Sequence, residues 1–369
     1  MKKIAYLLEY PIDLPGGAQM STESLCQGIL DDGEYRPIVI CPELLNKKLS
    51  DYPFEIITYK MGDSRIKNLL IRILAFRRIL KKIKPNIVHA QMPESLITYG
   101  LAFPLGNKNS KLIFTDRGMF YGYRKHSLML MKLALSRSKM MLTTTDLNKS
   151  LWQENTKVHP IKKVANTISE IFADFDYTKR THEGFVLGFA GRICEEKNWP
   201  LVNVICKKCN EKGIPIIADV VMSTFEEGDD LVVQSVTDGL ISDLGKDRVR
   251  IHQDFTQREM SEYYYGIDIF VMTSRFESFG KAAVEAMSRK CAVVSTNVGG
   301  LKEVIGNEED LYTEDTIDKC IDRIEQLYKS KELLEKEQDY FYNRYKDNFS
   351  QSKCLNDHLS IYRELDLNN

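Results

Sequence analysis

With 369 residues, the chain is long for a single core, and its 43% hydrophobic content is that of an ordinary globular protein with two domains. No run of eighteen apolar residues occurs, which excludes a membrane-spanning segment from the reading. The net charge of −1 hides an asymmetry: residues 1–170 carry 26 Lys+Arg against 15 Asp+Glu, and the remainder 25 against 37.

The opening M-K-K-I-A-Y-L-L-E-Y-P is basic and then apolar, but Glu9 and Pro11 cut the run short and no small-residue cleavage site follows. It reads as a buried strand, Ile4–Leu8, rather than a signal peptide. Pro15-Gly16-Gly17-Ala18-Gln19 then leads into a helix over Ala18–Leu30. Gly16 and Gly17 serve either a flexible turn or a close backbone approach to a phosphate or acceptor at the helix N-terminus. The pattern is not a dinucleotide fingerprint.

Strands over Arg36–Cys41 and Phe54–Tyr59 precede a helix at 65–84 that holds eight cations and no acid. Its expected core side is Leu69, Leu70, Ile73, Leu74, Phe76 and Ile79, beside Arg72, Arg77, Arg78, Lys81 and Lys82. Packing accounts for the apolar half, and anionic lipid headgroups attract the other. No nucleic-acid recognition motif accompanies it, so nucleic acid is not the expected partner. His89 ends the strand Ile87–Ala90, either as a candidate to meet substrate or as a hydrogen-bonded structural histidine.

A helix near Ser95–Phe103, a strand over Lys111–Thr115 followed by Arg117-Gly118-Met119, a helix near Ser127–Ser136 and a strand over Met140–Thr144 complete the first half. Such alternation predicts a parallel sheet with helices on both faces. Residues 170–183 are acidic and aromatic without periodicity, as in a connector. Asp174 and Asp176 fall there rather than at a strand end, so this D-x-D is not expected to bind metal.

The pattern restarts with Phe185–Ala190, after which Arg192 and Lys197 follow in a loop, cations suited to a departing diphosphate. The helix Leu201–Glu211 holds Cys206 and Cys209, read as two faces of one helix. With no second pair or histidine cluster they form no zinc site, and the eight scattered cysteines suit a reduced, cytosolic chain. Strands over Ile216–Val221 and Val249–His252 and a helix over Gln257–Tyr265 lead to the apolar run Ile267–Met272.

From there T-S-R-F-E-S-F-G-K-A-A-V-E-A-M passes through a loop into a helix over Lys281–Lys290. Glu277 lies in the loop and Glu285 one to two turns into the helix, with the unpaired amides of the helix N-terminus between them. A ligand with a central diphosphate and hydroxyls at both ends suits that layout. A strand over Ala292–Ser295 and a helical segment from Tyr340 to Leu367 with scattered aromatics finish the chain.

This stretch resembles the E-x7-E signature of family 4 retaining glycosyltransferases, and it runs on into C-A-V-V-S-T-N-V-G-G-L-K-E-V-I without a break. Arg289-Lys290 departs from the small residue and glycine that the family has there. Arg192 and Lys197 resemble the family's G-R-(x)n-K element in the correct order. At Arg117 many members carry a histidine near the transferred sugar, and the R-G-M string resembles a subgroup linked to polysaccharide and O-antigen assembly. V-A-N-T-I-S-E-I-F resembles the family's inter-domain segment, with Asn166 and Phe172 retained.

The resemblance implies an α/β protein of two Rossmann-like domains facing across a cleft, the GT-B fold, with the last helix crossing back to the N-terminal domain. The expected parts are an acceptor domain at 1–168, a connector at 169–184, a nucleotide-sugar domain at 185–345 and the returning helix at 346–369. By resemblance Glu285 holds the ribose hydroxyls and Glu277 the donor sugar. Ser278, Phe279, Gly280 and Lys281 line the donor, the last three through backbone amides to the diphosphate, and Arg192 and Lys197 offset its charge.

Arg192, Lys197 and Glu277 are thus the expected catalytic group, Gly16 and Gly17 further donor contacts, and His89 and Arg117 acceptor-side candidates. The expected activity is retaining transfer of a hexosyl-type sugar from a UDP- or GDP-sugar to a lipid-linked or other saccharide in bacterial surface polysaccharide assembly. It needs neither cofactor nor metal and takes place at the inner face of the cell membrane, on an anionic surface. The alternatives are a UDP-sugar epimerase of the same fold and a non-catalytic subunit that binds nucleotide sugar.

Overall fold

A computed structural model describes all residues except 15, 158–159, 181 and 368–369, so Pro15 lies outside the described residues. The chain forms two α/β units, one of residues 1–167 and 351–369 and one of residues 168–350.

In the first unit β1 (Lys2–Leu7), β2 (Tyr35–Pro42), β3 (Glu55–Tyr59), β4 (Ile87–Ala90), β5 (Lys111–Asp116), β6 (Met140–Thr143) and β7 (Ile161–Lys163) form one sheet. Its order is β3-β2-β1-β4-β5-β6-β7, and every pairing is parallel. Successive side chains of a strand point to opposite faces. Ile4, Tyr6 and Leu8 accordingly enter one core, whereas Ala5 and Leu7 enter the other. The first core receives α1 (Gly17–Asp32), and the second receives α2 (Arg65–Ile83), α3 (Pro93–Ala102), α4 (Lys125–Leu135) and Trp152 of α5 (Asp146–Asn155).

The faces of α2 differ from the sequence expectation. Arg72 is buried and reaches Glu94 at the start of α3, Nη2 to Oε2 2.8 Å. Leu70 and Leu74, expected in the core, are 56% and 67% exposed and align with Ile66, 76% exposed, on one side of the helix. Arg77, Arg78, Lys81 and Lys82 are exposed as expected. Of its apolar residues Phe76 and Leu80 are fully buried, and Ile71, Ile73, Ala75, Ile79 and Ile83 pack partly buried against the same core.

The second unit has β8 (Phe185–Arg192), β9 (Ile216–Ser223), β10 (Val249–Gln253), β11 (Ile269–Met272), β12 (Ala292–Thr296) and β13 (Leu311–Tyr312), ordered β10-β9-β8-β11-β12-β13 and again all parallel. Its helices are α6 (Pro200–Glu211), α7 (Asp229–Leu244), α8 (Gln257–Tyr265), α9 (Lys281–Ser288), α10 (Leu301–Ile305), α11 (Ile317–Lys329) and α12 (Lys331–Asn348). Cys206 and Cys209 of α6 are both fully buried. Three residues apart on a helix, they share a face rather than occupying two.

Arg289, one of the two departures from the family pattern, is 2% exposed. Its guanidinium donates to the carbonyl oxygens of Ile171 and Phe172 and to Ser261 Oγ, and it stacks on the rings of Phe172 and Tyr265. Lys290 adopts φ +56, ion-pairs with Asp339 and lies over the rings of Phe175, Tyr177 and Tyr342. The stretch expected to be a loose connector at 169–184 is therefore bound along 171–177 to the body of the second unit.

The helix expected to run on from Tyr340 is two helices. Phe349 N–H closes α12 on Tyr345 O, and α13 (Gln351–Leu367) starts afresh. The helix placed at 346–369 thus begins at Gln351, and it packs within the first unit against α1 and β1. Both sheets reverse their strand order at an inner pair, β1 with β4 and β8 with β11. Open α/β sheets bind ligands outside the carboxyl ends of the strands at such a point.

Candidate active site

In the second unit the switch-point strands β8 and β11 deliver both halves of the expected donor site. β8 ends at Arg192, whose side chain is exposed and whose carbonyl accepts from Trp199 Nε1 at 3.0 Å. The turn that follows places Lys197 so that its stem crosses Gly191, where an added Cβ would sit 3.3 Å from Lys197 Cδ. Thr273, just past β11, donates its hydroxyl to Lys197 O at 2.8 Å, and Arg275 N–H donates to Glu196 O at 2.7 Å. These bonds lock the two loops together. Lys197 Nζ then meets Glu277 Oε2 at 2.7 Å, with both side chains about four-fifths buried (19% and 18% exposed).

Glu277 is held from behind as well. Its carbonyl accepts from Gly300 N at 2.9 Å, and Gly299, at φ +52, approaches so closely that a Cβ there would lie 1.9 Å from that oxygen. Ser278 follows, half-buried, and Phe279 turns its ring inward onto Phe349, so only its backbone faces a ligand. Gly280, at φ +102, is the N-cap of α9, with no side-chain cap and no acid in the first turn. Its amides and those of Lys281 and Ala282 carry the positive end of the helix dipole.

Glu285 lies on α9, 8% exposed, and accepts from Tyr264 OH at 3.4 Å. Burial raises its carboxyl above the ordinary carboxylate value, while the charges of Lys281 and Lys197 oppose the rise. Lys197 is therefore felt by both glutamates, and two carboxylates, an ammonium and an uncapped helix N-terminus converge in one unit. Among the described residues no group of three or more metal-ligating side chains occurs.

In the first unit the candidates separate. Gly16, in extended backbone, caps α1 without a side-chain bond, and Gly17 is its first residue. His89 is wholly buried, Nδ1 2.9 Å from Tyr362 OH and Nε2 2.7 Å from Thr115 Oγ1. Burial and the nearby His358 and Arg117 hold its pKa well below the ordinary value. With both nitrogens engaged it is a core residue that ties α13 to the sheet, and its candidacy as a substrate contact lapses. Arg117, just beyond β5, donates to Asn166 Oδ1 and, at 2.7 Å, to Gln91 Oε1.

Two family models match. That described as Glycosyltransferase Family 4 covers residues 15–169, and that described as Glycosyl transferases group 1 covers residues 173–346, one for each unit. The chain belongs to the family 4 glycosyltransferases.

An uncharacterized 41.2 kDa protein in the cps region of Klebsiella pneumoniae is 24% identical to this glycosyltransferase, over 92% of this chain and 95% of that one. The capsular polysaccharide biosynthesis glycosyltransferase CapM of Staphylococcus aureus is 24% identical, over 74% of each. Among solved structures, Anabaena HepE in complex with UDP-glucose superposes with a TM-score of 0.80 at 15% identity, over 99% of this chain and 100% of that one, so the fold is GT-B.

Tyr264 and Thr273, which brace the candidate donor site of the second unit, carried no signal of their own in the sequence, and neither did Glu9 of the first unit. Tyr264 positions Glu285 from a different helix, and Thr273 positions Lys197 from a different strand. Glu9, 7% exposed past the end of β1, accepts from Glu94 N at 2.9 Å, and burial and the Glu94 charge push its carboxyl up to about 7. The apolar run Tyr6–Leu8 hid it as the end of a strand.

Proposed function

We propose that the protein transfers a sugar, with retention at the anomeric carbon, from a UDP- or GDP-sugar to a lipid-linked saccharide in surface polysaccharide assembly. The observation that carries the reading is the Lys197–Glu277 pair beside the uncapped N-terminus of α9 with Glu285 on that helix. Arg192, Lys197 and the α9 amides stabilise the charge that builds on the leaving diphosphate, where fixed donors act most strongly. Glu277 orients the sugar hydroxyls, and Glu285 those of the ribose. Retention is supported by the state of the two site glutamates, neither of which stands as a free base: Glu277 is ion-paired and Glu285 is buried.

The relatives named for capsule synthesis support the polysaccharide context. The membrane side is supported by the exposed Ile66, Leu70 and Leu74 on α2, with Arg77, Arg78, Lys81 and Lys82 continuing along the helix. α3 packs against both α2 and α4, and Met129 and Leu133 of α4 are exposed too, at 65% and 56%. An amphipathic surface of this kind holds a protein at an anionic interface reversibly. Among the described residues no helix is long and apolar enough to cross a membrane.

Incubation of the purified protein with a panel of UDP- and GDP-sugars tests the reading, with UDP-glucose first because HepE binds it. Slow donor hydrolysis, or transfer giving a product with the donor's anomeric configuration by NMR, is the expected result. Interconversion of donor sugars, or no turnover of any donor, overturns it.

A further inference from the structure

Among the described residues the guanidinium of Arg117 has no acidic partner. Its two hydrogen bonds go to the neutral side-chain oxygens of Asn166 and Gln91 and use two of its five N–H donors. Among the described residues it makes no ion pair with a carboxylate, and its Nε is shut off from solvent without an acceptor. Gln91, wholly buried past the end of β4, likewise has an unpartnered Nε2. A charge withdrawn from water without a counter-charge is costly, so proteins pair such a group or leave it for a ligand.

The nearby groups do not compensate it. Asp116, next in the chain, is spent on Trp152 Nε1 at 2.6 Å, Asn148 Nδ2 at 2.9 Å, Gly118 N at 3.0 Å and Tyr123 OH. Burial lowers the Arg117 pKa, and the groups that oppose this are Cys354, Tyr362 and Tyr6, none of them a carboxylate. The same edge adds further positive potential. α1 begins at Gly17 with no side-chain cap and no acid in its first turn, and its Ser21 hydroxyl contacts Thr167 O, next to Asn166. Gln91 and the start of α1 follow β4 and β1, the pair at which the strand order reverses.

We propose that Arg117, braced by Asn166 and Gln91 at the head of α1, binds an oxyanion carried by the acceptor. The inference rests on the glycosyltransferase reading and deepens it by naming the acceptor class. Two acceptors share this chemistry: a saccharide with a phosphate linkage close to the receiving hydroxyl, and a uronic acid with its carboxylate there. A guanidinium grips either through parallel N–H···O bonds. A neutral acceptor leaves the charge uncompensated.

Calorimetric titration of the full-length protein, saturated with UDP so that the donor site of the second unit is occupied, tests this. The probes are methyl phosphate, methyl β-glucuronide and the neutral methyl β-glucoside, run on wild type, Arg117→Gln and Arg117→Lys. One of the two anions is expected to saturate wild type and to bind Arg117→Gln roughly tenfold to a hundredfold more weakly, the size of one charge-assisted contact, with partial recovery in Arg117→Lys. Tighter methyl phosphate identifies a phosphate-linked acceptor, and tighter glucuronide a uronate.

No saturable binding of either anion to wild type, or equal binding to a folded Arg117→Gln, overturns the inference. If Arg117→Gln does not fold, the anionic and neutral probes on wild type decide, because equal binding of glucuronide and glucoside with no methyl phosphate binding also overturns it. The donor reading is checked separately by the UDP titration that precedes the probes. UDP that binds all three proteins alike while the anions fail overturns the inference alone. Anions that bind through Arg117 while UDP does not bind overturn the donor reading alone.

Discussion

Lys197 Nζ lies 2.7 Å from Glu277 Oε2, an ion pair that joins positions 80 residues apart and brings the loop after β8 to the loop after β11. Each partner is backed by a backbone bond of its own, Lys197 O from Thr273 and Glu277 O from Gly300. The pair is thus positioned from both sides before any donor arrives. Preorganisation of this kind lets a charge act on a transition state without reorganising.

Lys197→Ala should lower turnover by roughly 10²–10³, with some loss of melting temperature because the largely buried Glu277 carboxylate loses its partner. Steady-state kinetics with a saturating nucleotide sugar, alongside thermal unfolding, checks this. Near wild-type turnover in the variant removes Lys197 from the mechanism.

Gly299→Ala should disable the donor site through the backbone. The new methyl would lie 1.9 Å from Glu277 O, and φ +52 is itself unfavourable for alanine, so the Glu277 loop has to move. UDP affinity should fall at least about tenfold, given that small displacements of positioning groups carry large rate and binding costs. Unchanged UDP binding by calorimetry means that the loop is not part of the site.

Glu285→Gln should separate stability from function. Burial raises the Glu285 carboxyl, so the folded state holds the proton more tightly than the unfolded chain does. That favours folding at low pH, and the advantage is lost as pH rises from the ordinary carboxylate range through the raised value. A neutral amide avoids the cost, so the variant should melt at or above the wild-type temperature at pH 8 while its affinity for UDP falls. A lower melting temperature at pH 8 contradicts the account.

Glu9 gives a pH dependence with a defined window. Its carboxyl stands at about 7 when folded against an ordinary 4.5, so stability should decline as pH rises from about 4.5 to 7 and then level off. The contribution is on the order of 3 kcal/mol at most. Glu9→Gln, which keeps an acceptor for Glu94 N–H, should flatten that slope in urea unfolding measured at pH 5 and pH 8. An unaltered slope assigns the dependence to other groups.

Binding to anionic vesicles should fall steeply with salt and with charge reversal at Arg77, Arg78, Lys81 and Lys82. The exposed apolar row adds a second expectation: Leu70→Ser with Leu74→Ser should weaken binding at high salt, where the charges are screened. Equal, negligible sedimentation with anionic and neutral vesicles at low salt removes the membrane reading.

The inner strands of both sheets were legible because parallel strands buried on two faces read as short apolar runs, and Ile87–Ala90 and Ile269–Met272 stand out in that way. The two- and three-residue edge strands β13 and β7 were too short to register. Glu277, Gly280 and Glu285 were legible because a fixed spacing across a loop and a helix start is a local property. What escaped was set by partners distant in sequence. Arg72 looked like part of a wet face until Glu94 of another helix buried it, and Leu70 and Leu74 looked like core.

His89 was undecidable from its neighbours, since Tyr362, 273 residues away, fixes its role. The break at Phe349-Ser350 has neither glycine nor proline to announce it. Arg289 and Lys290 registered only as departures, although they fasten 171–177 to the second unit.

The place of α13 sets an order on folding. Tyr362 bonds Tyr6 OH at 2.7 Å as well as His89, and Tyr35 OH bonds Asp366 at 2.8 Å, so the last helix fills the core built around the first strand. The second unit, continuous from 168 to 350, has all its own parts before α13 exists. On the ribosome the half made first must therefore wait, its core open on one side, while the half made second closes. A nascent chain stalled before residue 351 should bury its later tyrosines and leave Tyr6 and His89 within reach of water and chaperones.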